Sequence, residues 1–396
     1  MDRKKIVIFS LAYFPKPVGG AEIAVKEITS RIEDIEFHIV THRFDPSLPR
    51  EEQLGNVFVH RIGDGTSYFA KMLFVLRAAF AGMKLQRIHT FDAAWAMMSY
   101  MSIPLMFMRF LGVRLPYALS LQEGDPFEHV FDRWHIRLVR PLLRVGFRSA
   151  IVIQTISTFL ARWADIVGSS AAVVIPNGVD TKHFAQSYPA AAVDEMKDAL
   201  DKKMGDVFLI TTSRLVHKNA VDDVVMALTK LPENVRFIVL GTGPDEASLK
   251  RLAAKLRVEH RVQFVGHVSH ERMPKYLKAC DIFVRPSRSE GMGNSFIEAM
   301  AASLPVIATQ EGGISDFLFD EKRNPDKPIT GWAVDKDSPD GIVAAVKAIM
   351  GNPEKVRAVT ATAKQMVIEK YDWDVVAKDM REKVFERALG MSPVAH

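Results

Sequence analysis

Short apolar runs alternate with amphipathic stretches along nearly the whole chain. Ile6–Ser10 reads as a buried strand. A Pro-Gly loop at 15–20 follows, then an amphipathic helix over Ala21–Ile32. Further strands are predicted at Phe37–Thr41, Val57–Ile62, Ala93–Ala96, Tyr117–Leu121, Ile151–Thr155 and Val173–Ile175. The stretch 67–87 reads as a helix whose apolar content is broken by Lys71, Arg77, Lys84 and Arg87. A Met-rich helix precedes Tyr117. A boundary falls near Pro176-Asn177-Gly178-Val179-Asp180, and the polar, Ala-rich segment 185–205 shows no strand pattern. The alternation then restarts at Val207–Thr211, Val235–Leu240, Val262–Val265, Ile282–Arg285, Val306–Ala308 and Trp332–Val334. A last helix is expected over about Tyr371–Leu389. Strands separated by helices imply parallel βαβ units. The predicted class is therefore α/β, with two Rossmann-like, doubly wound domains facing across a cleft between the carboxyl ends of their strands.

A chain of 396 residues has room for two full cores. With 48% hydrophobic and 25% charged residues it falls outside the disordered class. The single cysteine, Cys280, forbids an internal disulfide, fits a reducing cytoplasm and reads as a small core residue. The charged start and the apolar run Ile6–Phe14 imitate a signal peptide, but Pro15 and Pro17 follow at once, so a first strand is expected instead. The uncharged run Ala93–Met108 is too short to span a bilayer and contains Pro104. Net charge is +5, unevenly placed. Arg133, Arg137, Arg140, Arg144 and Arg148 fall on one helical stripe, with Trp134, Leu138, Leu142 and Val145 beside it. Two readings stay open for this stripe: a surface that docks on anionic membrane or guides a lipid-diphosphate acceptor, and a solvated helix face. Basic patches interleaved with aromatics, as a nucleic-acid binder needs, are not evident.

The candidate chemistry concentrates in the second half. Ile282–Arg285 runs through Pro286 into a Gly-broken loop, Glu290-Gly291-Met292-Gly293-Asn294-Ser295, and then into an apolar helical pattern that carries Glu298. Strand, Gly loop and helix in that order put backbone N–H groups and a helix N-terminus at the sheet edge, where a diphosphate can sit. Glu290 and Glu298 can accept hydrogen bonds from sugar and ribose hydroxyls. Arg214 and Lys218 follow another strand end and can clamp phosphates. Gly241 and Gly243 form a similar strand-to-turn junction, read equally well as a plain turn, and His267 reads as a surface histidine. In the first half, Gly19 and Gly20 join strand one to a helix without the GxGxxG of a dinucleotide site or the Lys-Ser/Thr of a P-loop. Glu123 and Asp125 follow the strand Tyr117–Leu121 and can bind sugar hydroxyls or accept a proton from an acceptor; a Gly-Asp-Pro turn also explains them. No zinc spacing is present, and the Asp-x-Asp pairs at 335–337 and 372–374 read as surface charge, so no metal or other cofactor is expected.

Together these pieces resemble the retaining glycosyltransferases of family 4, which have the GT-B fold. The resemblance rests on Glu290-x7-Glu298, Ser213-Arg214-Leu215 with Lys218, Asn177-Gly178-Val179-Asp180, Gly312-Gly313 and Gly19-Gly20-Ala21-Glu22. It implies a donor of the UDP- or GDP-sugar type and an acceptor that is a glycan or lipid-linked glycan. Glu290 would contact the donor sugar and Glu298 the ribose. Backbone of Gly291, Met292, Gly293, Asn294 and Ser295 would hold the diphosphate with Arg214 and Lys218, metal-independently, while Gly19 and Gly20 close over it. It also implies an acceptor domain over 1–178, a donor domain over 179–370 and a helix over 371–396 that crosses back. The setting would be cytoplasmic, peripheral on the inner membrane face, in surface polysaccharide or glycolipid assembly. A sugar-nucleotide 2-epimerase of the same fold and a non-catalytic nucleotide-sugar-binding protein remain as alternatives. Two departures stand out. The histidine of the family's frequent His-Gly is absent from Gln122-Glu123-Gly124-Asp125, and Asn219 takes the place of the glycine after Lys218, where asparagine is expected to tolerate the same turn.

Overall fold

The computed structural model describes residues 3–15, 19–125, 127, 134–169 and 172–391, without the side chains of 134–138. Pro17, Val18 and Arg133, and the side chains of Trp134, Arg137 and Leu138, therefore lie outside the described residues. The chain divides into two compact units, Met1–Asn177 with Trp373–His396, and Gly178–Asp372.

The first unit is built on eight strands: β1 (Lys4–Phe9), β2 (Ile35–His42), β3 (Glu51–Leu54), β4 (Val57–Ile62), β5 (Ala93–Met97), β6 (Tyr117–Leu121), β7 (Val152–Thr155) and β8 (Ala172–Val174). Their order is β3-β4-β2-β1-β5-β6-β7-β8. All neighbours are parallel except β3 with β4. Ile6, Val7, Ile8 and Phe9 are all fully buried, as a central parallel strand covered on both faces requires. The sequence pattern missed β3. Its sequence Glu-Glu-Gln-Leu is charged and half exposed, the composition of an edge strand rather than of a core one.

The second unit has six parallel strands: β9 (Val207–Thr212), β10 (Val235–Leu240), β11 (Val262–Gly266), β12 (Ile282–Arg285), β13 (Val306–Ala308) and β14 (Trp332–Ala333). Their order, β11-β10-β9-β12-β13-β14, starts in the middle, runs outward one way and then the other. The direction reverses between β9 and β12. At such a switch point the loops leaving the two central strands diverge and open a crevice at the carboxyl edge. In the first unit the reversal falls between β1 and β5. The segment 185–205 carries no strand but folds in part as a helix, Ala190–Ala199.

The C-terminal residues complete the core of the first unit. Trp373, Val376, Met380, Val384, Phe385 and Ala388 are buried with residues of β1, β2 and β5. The helical run is interrupted by a π-helical stretch, Met380–Phe385. Phe385 sits 5.7 Å from the Phe37 ring and packs edge-on at 5.0 Å from Trp95.

The helix Trp134–Ser149 corrects one expectation. Val145 is exposed and Leu142 half-buried, whereas Leu143 and Phe147 are buried, so the inward face is offset from the stripe read in the sequence. Gly146 lets this face press on its neighbour, since a Cβ there would stand 2.5 Å from Ser102 Oγ. Arg144 and Arg148 are exposed. Among the described residues no helix is long and apolar enough to cross a membrane.

Removing the Phe385 ring leaves a cavity between Phe37 and Trp95. Phe385→Ala is expected to destabilise the first unit by about 3–5 kcal/mol in urea unfolding. A change below about 1 kcal/mol would show that the C-terminal residues are not part of that core.

Candidate functional site

The switch point of the second unit gathers the residues expected to bind a donor. The loop after β9 carries Ser213, Arg214, Lys218 and Asn219, and the loop after β12 carries Ser287 to Gly293. The two loops are joined by Arg288. Its backbone N–H donates to Lys218 O at 2.7 Å, and its guanidinium donates to His217 O at 2.7 Å. The same guanidinium forks onto Asp222 at 2.9 and 3.0 Å and reaches Asp223 at 3.0 Å and Asp337 at 2.5 Å. Burial alone would lower the Arg288 pKa, but the bonds from Asp222 and Asp337 outweigh it and hold the charge firmly. Burial pushes the Asp223 carboxyl up to about 6, against the pull of Arg288. Arg214 is exposed.

Asn219 does not adopt the left-handed turn foreseen for it. It lies in a 3₁₀ turn, His217–Asn219, and the left-handed residue is the next one, Ala220, at φ 52°. Asn219 works through its amide, which donates to Arg214 O at 2.6 Å and closes the basic loop on itself. Gly241 and Gly243 are more than plain turn residues. Cβ atoms there would meet Ser213 O at 1.9 Å and Leu215 O at 2.1 Å, so side chains would force the loops after β9 and β10 apart.

Around β12 the site is built on Arg285, which the sequence reading treated only as a strand end. Its side chain is buried, lies 4.7 Å over the Phe296 ring, and donates to Ser295 Oγ at 2.6 Å and Ser287 Oγ at 3.1 Å. Its third partner is the Glu290 carboxylate. Burial pushes the Arg285 guanidinium down to about 10, and the charge of Glu298 opposes that shift. Arg285 thus pairs with Glu290 and feels the charge of Glu298 without touching it. Glu290 is 9% exposed, and its other oxygen accepts from the Gly291 N–H at 3.2 Å. Its backbone carbonyl accepts from Gly313 N–H at 3.1 Å. Gly312, at φ 62°, lies so close that a Cβ would stand 1.9 Å from that carbonyl. The Gly312-Gly313 pair therefore props the Glu290 loop.

The helix Asn294–Ala301 starts at Gly293, in left-handed conformation, with no side-chain cap among the described residues. Its first N–H groups open at the loop, as an anion site requires. Met292 is buried beneath the loop, while Asn294 and Ser295 are half-buried. Glu298 is 14% exposed at its side chain, and its Oε1 lies 3.4 Å from His270 Nε2. His270 in turn meets the Phe184 ring edge-on at 5.0 Å.

In the first unit the expected residues also follow central strands, but their polar groups are largely engaged. Gly19 N–H donates to Glu22 Oε2 at 2.7 Å, capping the helix Gly20–Thr29. Glu123 is buried, with one oxygen on Ser99 N–H at 2.7 Å and the other on Gln122 N–H at 2.9 Å. Burial raises its pKa despite these donors. Glu123 thus ties the segment after β5 to the end of β6. Gln122 pairs amide to amide with Asn177, at 3.0 and 2.8 Å. Asp125 is half-buried just beyond.

Residues 192–366 match the family described as glycosyl transferases group 1. The chain is 32% identical to the lipopolysaccharide core biosynthesis mannosyltransferase LpsB of Rhizobium meliloti, over 65% of this chain and 84% of that protein. It is 30% identical to the GDP-mannose-dependent alpha-(1-6)-phosphatidylinositol monomannoside mannosyltransferase of Mycolicibacterium smegmatis. That match covers 59% of this chain and 61% of the relative's length. Among solved structures, sucrose-phosphate synthase from Thermosynechococcus elongatus superposes with a TM-score of 0.83 at 19% identity, over 98% of this chain and 100% of that one. HepE from Anabaena, in complex with UDP and glucose, gives 0.78 at 17% identity, over 97% and 100%. These neighbours share the fold.

Removing the Arg288 clamp leaves Asp223 buried without its cation. Arg288→Ala is expected to destabilise the second unit by about 3–5 kcal/mol in chemical denaturation. Arg288→Lys should recover little of it, because an ammonium cannot reproduce the fork. A near-neutral Arg288→Ala would contradict the clamp.

Proposed function

We infer the function from one premise: this chain belongs to the group 1 glycosyl transferases. We propose that it moves a hexosyl group from a nucleoside-diphosphate sugar to a hydroxyl of a glycan or lipid-linked glycan, with retention at the anomeric carbon. The observation that carries this reading is the convergence of basic side chains, an uncapped helix N-terminus and a paired-glutamate loop at one sheet switch point. Backbone N–H groups from Gly291 to Ser295 would hold the diphosphate. Arg214 and Lys218 would meet the negative charge that grows on it as the glycosidic bond breaks, in the place a divalent cation would otherwise take. Lone pairs of Glu290 not engaged by Arg285 and Gly291 would accept from sugar hydroxyls, and Glu298 from the ribose. Retention fits a reaction on one sugar face, with the departing phosphate drawing the acceptor proton. GDP-mannose is the first donor to try, because named relatives are mannosyltransferases and one is named for that donor.

Gly19 and Gly20 remain proposed to close over the donor diphosphate, and Asp125 remains the proposed sugar or acceptor contact. Glu123 is better read as the tie that holds their loop edge. The arginine stripe of the sequence reading is only partly described. The helix Tyr68–His89 offers a more complete membrane surface. Phe69, Met72, Leu76 and Phe80 are exposed on one stripe, 74%, 55%, 42% and 63% respectively. Arg77, Lys84 and Arg87 are exposed on the same helix, and no acidic residue falls between 65 and 91. That pairing of apolar stripe and positive charge suits the surface of an anionic bilayer, where a lipid-linked acceptor would be met.

Two measurements test this reading. Incubated with GDP-mannose and a lipid-linked acceptor, the protein should release GDP only when acceptor is present. Lys218→Ala and Arg214→Ala should each lower kcat by roughly 10²–10³-fold while circular dichroism stays unchanged. Wild-type turnover in either variant, an isomerised sugar nucleotide, or binding without turnover would overturn it. In liposome co-sedimentation, Phe69→Glu/Phe80→Glu should abolish binding to anionic vesicles and spare the fold; undiminished binding would remove the membrane surface.

A further inference from the structure

We propose that His38, His60 and His89 form a binding site for a divalent transition metal of the zinc type on one face of the first unit's sheet. His38, His60 and His89 stand far apart in the chain and form no zinc spacing in the sequence. The fold brings them together. β2 and β4 are parallel neighbours whose register pairs His38 with Phe58 and Val40 with His60, so His38 and His60 are diagonal neighbours on the same face. His89 ends the helix Tyr68–His89, which stops at a left-handed Thr90. One ring nitrogen from each histidine lies within 4.8 Å of the other two.

The donor set suits the metal class. Three imidazoles with a fourth position open form a tetrahedral zinc site, and such nitrogen donors favour zinc, copper or nickel over magnesium and calcium. With metal–nitrogen bonds of 2.0–2.1 Å, two ligands on a tetrahedral ion stand about 3.3 Å apart. His38 Nδ1 and His60 Nε2 share a hydrogen bond at 3.0 Å, a spacing that an ion bound between them would keep in place of the proton. The groups behind these two rings are also in place. Glu36 Oε1 lies 3.0 Å from His38 Nε2 and takes its N–H, which turns the Nδ1 lone pair towards the other rings. Glu51 Oε1 lies 3.7 Å from His60 Nδ1. A carboxylate on the far nitrogen of a ligating histidine fixes its tautomer and raises its basicity.

One ring nitrogen is left over by the cluster's own hydrogen bonds. His60 Nδ1 is buried and has no hydrogen-bond partner among the described residues. With a metal on Nε2, Nδ1 becomes the fixed donor, aimed at Glu51. Ring packing alone explains less. His38 stacks on Phe58 at 4.8 Å and meets Phe91 edge-on at 5.0 Å, contacts that a phenyl ring would serve without burying ring nitrogens. The site sits at the middle of β2, not at its carboxyl end, so the role it suits is to staple the helix Tyr68–His89 to the sheet.

The test uses the full chain, stripped with a chelator and titrated with Co(II) alone, then with Zn(II). The expected result is one Co(II) per chain with the intense visible bands of tetrahedral nitrogen coordination, displaced by one equivalent of Zn(II). His60→Gln/His89→Gln should lose the bands, and Glu36→Gln should weaken binding about 10–100-fold. His89 is only half-buried, so His89→Gln alone serves as the variant whose fold survives, checked by circular dichroism. Wild-type protein that binds Co(II) no better than the double variant, or Co(II) without tetrahedral bands, would overturn the proposal. The readout is independent of sugar transfer.

Discussion

Arg288 is the residue on which the carboxyl edge of the second unit's sheet depends. β9 and β12 lie at the point where strand order reverses, so the loops leaving them diverge by topology. A crevice made this way exposes backbone and separates the groups meant to act together. Arg288 counters that divergence. Its backbone holds the Lys218 carbonyl while its guanidinium fills the space between His217 and the three aspartates 222, 223 and 337. A second arginine, Arg285, does the equivalent for Glu290 and Ser295. The glycines complete the frame by absence of side chain: Gly312 against Glu290, Gly241 against Ser213 and Gly243 against Leu215. Positive charge thus holds the loops through Arg285 and Arg288, while Arg214 stays exposed at the same edge.

Much of this was legible in the sequence, for physical reasons. Central parallel strands are buried on both faces, so β1, β5 and β9 read as largely apolar runs. Gly loops at their ends mark where backbone must turn or approach closely. What was not legible depends on contacts between distant residues. β3 is an edge strand with a solvent-like composition. The inward face of Trp134–Ser149 is set by Gly146 meeting Ser102, not by the apolar stripe alone. Asn219 looked like a turn residue because asparagine tolerates positive φ, yet Ala220 takes that strain while Asn219 spends its amide on Arg214. Arg285 and Arg288 gave one faint signal, the neighbouring acids Asp222 and Asp223. Acids in a helix's first turn already suit its dipole, so the need for Arg288 shows only in the burial of Asp223. Glu123 had been given an acceptor role on its position alone; its two backbone bonds could only be seen in the fold.

The two units carry different kinds of information. The family match at 192–366 lies inside the second unit and spans most of the proposed donor residues, whose chemistry is common to many nucleotide sugars. The first unit contains the departure at 122–125, the helix cap at Gly19 and the basic, apolar-faced helix. Choice of acceptor and of surface would reside there. The C-terminal residues belong to that unit's core, so its stability depends on both ends of the chain.

The central claim is that the reversal point between β9 and β12 holds a nucleoside diphosphate. Hydrogen–deuterium exchange with and without saturating GDP tests it most directly. Protection concentrated in residues 213–219 and 290–296, with β11 and β14 unchanged, is the result this account predicts. GDP that binds tightly while exchange in both loops stays the same would contradict it.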